Sequence, residues 1–111
     1  MKKYLLAALL LALAPAAPVG ATELKITNNS MWDIYYVYVS RSSNSEWGND
    51  QLDDKVLDAG ETWRLTNIQC DTYDVKLVDE DDDTCIIPKV KLCWNTHWEL
   101  DNDAWLGCVA E

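Results

Sequence analysis

The chain has 111 residues, and the first 21 read as a removable leader, which leaves about 90 for a single domain. It carries 9 Lys and Arg against 19 Asp and Glu; with Lys2 and Lys3 in the leader and no acid there, the remainder holds 7 against 19, a net charge of −12. That balance excludes a nucleic-acid binder, which needs clustered cations against phosphate, and argues against an anionic membrane surface.

Lys2 and Lys3 precede an 11-residue apolar run from Tyr4 to Ala14, too short for a membrane span of about 20 residues. Pro15 and Pro18 break it before Val19-Gly20-Ala21, whose small residues suit peptidase cleavage after Ala21. A signal peptide over residues 1–21 and a domain over 22–111 are expected. No cysteine lies near the cut, so no lipid anchor is expected, and the short leader leans bacterial, hence periplasmic or secreted.

Residues 23–28 alternate Leu24 and Ile26 with Lys25 and Thr27, the period of a half-buried strand, and Asn28-Asn29-Ser30 reads as a turn, although it also fits a glycosylation sequon. Residues 33–40 are β-branched and aromatic almost throughout and predict a central strand covered on both faces. Residues 41–51 are polar around Trp47-Gly48 and read as a long loop or a helical turn. A short strand at 55–57, a turn at 58–61 and strands at 62–66, 73–78, 85–92 and 96–100 follow, with a charged turn at 80–83 and Pro88 marking an edge or a bulge. Six or seven short strands without a sustained helical period predict an all-β, Ig-like antiparallel β-sandwich.

Cys70, Cys85, Cys93 and Cys108 are an even set in an oxidising compartment, so two disulfides are expected; separations of 15, 8 and 15 do not suit zinc. Centring a hairpin on residues 80–83 makes positions whose numbers sum to 163 face each other. Cys70 then lies opposite Cys93, within cross-strand disulfide reach, and Cys85 is left for Cys108.

Several segments together resemble a family of small exported bacterial β domains of uncharacterised function. They are Ile26-Thr27-Asn28-Asn29-Ser30, Ile34 to Ser40, Trp47-Gly48-Asn49-Asp50, Gly60-Glu61, Cys70 to Val75, the acidic turn and Val90-Lys91-Leu92-Cys93. The family pattern has Gly in the acidic turn where this chain has Asp82, so the turn type stays open. Some similar chains carry the label of argininosuccinate lyase, an activity of large helical tetramers for which this chain has neither the length nor the helices. The resemblance implies a fold and an export route, and no activity.

Asp79, Asp81 and Asp83 are candidate ligands for Ca²⁺, a hard cation that takes oxygen donors. The spacing is not that of an EF-hand, because Thr84 replaces the required Gly and Val90 the bidentate Glu. The bland alternative is a solvated turn that keeps a sheet edge from aggregating. Six Trp and no Phe point to aromatic platforms for sugar rings; Trp63, Trp94 and Trp98 are expected in the core, and Trp32, Trp47 and Trp105 are the candidates for exposed ligand contacts. His97, the only histidine, is expected on the surface and supports neither a metal site nor a triad. The chain is therefore expected to be a monomeric, non-enzymatic binding or structural module for an unknown protein or glycan partner. Sugar binding through exposed Trp and a minimal hydrolase with paired carboxylates are the alternatives.

Overall fold

The computed structural model describes residues 22–109, so the leader and the cleavage site lie outside the described residues. Six strands and one helix follow in order: β1 (Thr22–Asn28), β2 (Ile34–Arg41), β3 (Thr62–Ile68), β4 (Asp71–Asp79), β5 (Thr84–Leu92), β6 (Thr96–Leu100) and α1 (Asn102–Val109). They form two three-stranded sheets, ordered β3-β1-β6 and β2-β4-β5. The fold is thus the expected all-β sandwich with two disulfides, Cys70–Cys93 and Cys85–Cys108. All pairings are antiparallel except β1 with β6, which is parallel.

The central strands carry the core. β1 buries every second residue, including Leu24 and Ile26, and β4 buries Tyr73, Val75 and Leu77 from the facing sheet. Ile34, Val37, Ile68, Leu92 and Leu100 complete the layer, and Leu52 and Leu57 close it from the long β2–β3 connection. Each fully buried side chain of this kind is worth about 1.5–3 kcal/mol.

The aromatic run at 34–41 is an edge strand, contrary to the expected central one. β2 pairs with β4 on one side; on the other, its backbone meets an isolated bridge between Ile34 and Leu57, a bond from Gln51 N–H to Val37 O of 2.7 Å and one from Val37 N–H to Asp50 Oδ1 of 2.9 Å, with no strand alongside among the described residues. The expected strand at 55–57 shrinks to that bridge. A register shift between Ile34 and Tyr36 turns both Tyr35 and Tyr36 outward, to about two-fifths exposure. A continuous apolar and aromatic run identifies a strand without saying what covers its outer face. Here the 50–57 segment masks most of the free edge, which limits its capacity to pair with other chains.

The β4–β5 hairpin shows how the cysteines meet. Near the turn the partners are Val78 with Thr84 and Leu77 with Cys85, one residue tighter than the register centred on 80–83. A bulge then sets two residues, Pro88 and Lys89, against Asp74; beyond it Tyr73 faces Val90 and Asp71 faces Leu92. Lys89 adopts φ 58° there. The extra residue restores the register in which Cys70 and Cys93 are opposed. It also moves the inward set from Cys85 and Ile87 to Val90 and Leu92, because a one-residue slip reverses the faces of a strand. Each disulfide closes a loop with a sequence separation of 23, worth roughly 3 kcal/mol on the chain-entropy account.

Helix α1 was not legible in the strand pattern. It is only eight residues long, its start is capped by Asp101 Oδ1, which accepts from Ala104 N–H at 2.7 Å, and Cys108 ties it to β5. Asn28 is wholly buried and organises the β1–β2 turn. Its amide donates to Trp32 O and Leu57 O, and its Oδ1 accepts from the Ser30 N–H and hydroxyl. The sequon is therefore a structural turn whose Asn is inaccessible. Asn28→Ala should remove four hydrogen bonds, leave the buried Ser30 N–H without its acceptor, and lower stability by about 2–3 kcal/mol in urea denaturation, with the slope unchanged.

Candidate functional site: an amide-lined groove between the sheets

The two ends of the sandwich differ chemically. At one end lie the β1–β2 turn, the 57–61 turn and the β4–β5 turn, which bring Asp33, Asp58, Glu61, Glu80, Asp81, Asp82 and Asp83 together. Partial desolvation, followed by repulsion from Glu61 and Asp33, raises the Asp58 carboxyl above the ordinary carboxylate range. Within the β4–β5 turn, one carboxylate oxygen each from Asp79, Asp81 and Asp83 falls within 4.8 Å of the others, so these three residues could hold a hard cation. Asp79 is buried, and its Oδ1 accepts from the N–H groups of Asp81 and Asp83, each at 2.9 Å. Asp82 takes φ 66°, the left-handed conformation that Gly adopts most readily.

The opposite end holds a groove of about 450 Å³ between the sheets, within the size range of ligand sites. Two irregularities build it. The first is a bulge in β3, where two residues, Thr66 and Asn67, stand against the single Glu23 of β1 and Asn67 sits at φ 59°; both line the groove. Asn tolerates the left-handed region better than a branched residue does.

The second is the 42–51 loop, which carries Trp47. Ser42 N–H donates to Thr72 O, the Ser42 hydroxyl to Asp74 Oδ1 at 2.7 Å, and the Ser40 hydroxyl to Glu46 O at 2.8 Å. At its far end Asp50 Oδ1 accepts from Val37 N–H and Leu52 N–H. Gly48 supplies the φ of 78° that turns the chain after Trp47. The loop is thus fastened at its root and at its return, and Trp47 is held half-buried on the groove wall.

Val39, Leu65 and Ile68 give the groove apolar lining; Trp47 and Tyr73 add aromatic rings. The Tyr73 hydroxyl donates to Gln69 O at 2.7 Å. Around them stand five side-chain amides, those of Asn44, Asn49, Gln51, Asn67 and Gln69, with the hydroxyls of Ser40 and Thr66. Arg41 is the single charged residue among the described lining, and Asp71 at 3.0 Å and Gln69 engage it. None of the described lining residues is acidic or a histidine, in a chain with 19 acids. The groove therefore offers ring faces and neutral donors and acceptors, and the described lining contains no paired carboxylates.

Of the aromatic candidates, Trp47 lines the groove, whereas Trp32 is half-buried against the core at the acidic end, so the two are not brought together. The side chain of Trp105 lies outside the described residues. Trp63 and Trp98 pack against the core as expected. Trp94 does not: it is 61% exposed in the β5–β6 turn, next to the Cys70–Cys93 disulfide, because its alternation belongs to a turn and not to a strand. His97 is exposed, its Nε2 2.8 Å from Thr27 Oγ1. The five amides escaped sequence reasoning because they are scattered over residues 44–69 and converge only through the topology. No helix among the described residues is long and apolar enough to cross a membrane. Comparison of the chain with protein-family models, curated proteins and solved structures finds no match in any of the three.

Asp74 supports both the loop and the hairpin. The Ser42 hydroxyl and then the Lys89 N–H, with the Lys89 charge, hold its carboxyl below the ordinary carboxylate range. A lowered folded-state value gives stability that is present above the unfolded pKa of about 3.9 and is lost as pH falls through the folded value. Asp74→Asn should therefore lower the Tm at pH 7 and lose that difference at pH 2, as thermal melts at the two pH values would show.

Proposed function

We propose that the chain is an exported binding module whose ligand is a neutral glycan held in the groove between the sheets. The observation that carries this reading is the lining itself: Trp47 and Tyr73 beside five amides and two hydroxyls, without an acid or a histidine. A sugar ring presents an apolar face to an aromatic side chain and a hydroxyl edge to donors and acceptors, which this combination can satisfy together. The two disulfides suit an oxidising compartment outside the cytoplasm, where glycans are encountered. Export through cleavage after Ala21, a monomeric state and a non-catalytic role complete the proposal.

The test is isothermal titration of the mature domain with neutral hexaoses of the cello, chito, xylo and malto series. At least one should bind, and Trp47→Ala should weaken it about tenfold or more, since a buried aromatic contact contributes on the order of 1.4 kcal/mol. Binding by none of the four would sink the reading.

The convergence of Asp79, Asp81 and Asp83 carboxylate oxygens within 4.8 Å favours a second reading, Ca²⁺ at the acidic turn. At tenfold excess over Kd, the ion should stabilise the fold by about 1.4 kcal/mol and raise the Tm by about 6–11 °C. Mg²⁺ at the same ionic strength should do less, because it demands tighter octahedral geometry. Equal shifts with the two ions would mark screening and not a site.

A further inference from the structure

The outer face of the β2-β4-β5 sheet carries a row of aromatic rings that begins at the groove. Trp47, on the groove wall, lies 6.4 Å from Tyr38 between ring centroids, and Tyr38 lies 6.3 Å from Tyr36, with those last two rings stacked within 18°. Tyr36 is 43% exposed. The Lys76 ammonium stands 4.7 Å from the Tyr38 ring and 5.0 Å from that of Trp47, which fixes the two rings relative to each other. Across the sheet the neighbours of these tyrosines are Val78, Thr84, Lys76 and Ile86. No acid stands in these two cross-strand rows, although the chain carries 19.

We infer that the ligand of the groove is a polymer, whose chain leaves the groove over Trp47 and continues along β2 on Tyr38 and Tyr36. This rests on the glycan reading of the groove and extends it. Trp47 is shared by the two surfaces, so the row is continuous with the groove and not a separate patch. The two steps between rings are nearly equal, which suits a ligand of repeating, stackable units better than a compact one. The Tyr36 and Tyr38 rows hold Lys76 as their charged residue, and Glu46 and Asp74 stand beside Trp47 at the groove end of the row.

Titration of the domain with a dimer and a hexamer of the same glycan, drawn from the four neutral series above, separates the groove from the row. Wild-type domain should bind the hexamer at least tenfold more tightly than the dimer. Tyr36→Ala and Tyr38→Ala should each weaken the hexamer about tenfold and leave the dimer unchanged, while Trp47→Ala weakens both. Near-UV circular dichroism would confirm that each variant keeps its packed core, and Tyr36→Phe should retain hexamer binding. Equal affinity for dimer and hexamer, with Trp47→Ala weakening both, would overturn the polymer inference while leaving the groove reading intact. Hexamer binding indifferent to all three alanine substitutions would overturn the two together, as would binding by no glycan.

Discussion

The Asp74 carboxylate accepts from the Lys89 N–H at the β5 bulge and from the Ser42 hydroxyl at the root of the loop that carries Trp47. Those two bonds join the features on which the molecule's geometry depends. The bulge lets Cys85 and Ile87 face the core before it and Val90 and Leu92 after it, and it brings Cys93 opposite Cys70. Without the extra residue, Lys91 would point inward and Leu92 outward, a reversal that no local adjustment could offset. The same carboxylate then fixes the start of the 42–51 loop, so hairpin register and groove wall are set together.

The fold was legible wherever alternation was clean. Leu24 and Ile26 and Tyr73 to Leu77 follow from a period of two; the disulfide pairing is the expected one, but the hairpin turn is one residue tighter than the expected centre and the β5 bulge restores the register. Even the bulge has a trace: the inward parity changes between Ile87 and Val90, with Pro88 in between. What could not be read depends on partners distant in sequence. The run at 34–39 looks central because every position is apolar or aromatic, yet its outward tyrosines are covered in part by Trp47 and Lys76 and otherwise meet solvent. Helix α1 is too short for its period to stand out, and Trp94 shares the parity of Trp98 while lying in a turn.

The candidate site was legible only in part, for the same reason. Trp47 stood out as a Trp next to Gly in a polar loop, and that signal located one wall of the groove. The other wall is the Thr66–Asn67 bulge, whose sole sequence cue is an Asn able to adopt a left-handed φ. The acidic turn, the most conspicuous local pattern, is in large part a folding device: Asp79 is buried and caps the N–H groups of Asp81 and Asp83. The groove lining among the described residues holds five amides and no acid, in a strongly acidic domain whose turns at the opposite end gather seven carboxylates.

The most direct test is a ¹⁵N–¹H correlation spectrum of the domain over residues 22–111 recorded during titration with the four neutral hexaoses. The account predicts that the Trp47 indole N–H and the side-chain amides of Asn49, Asn67 and Gln69 shift together and saturate with one affinity, while the amides of residues 79–83 stay in place. Saturable shifts confined to residues 79–83, or to the Trp94 turn with the groove amides unmoved, would contradict it.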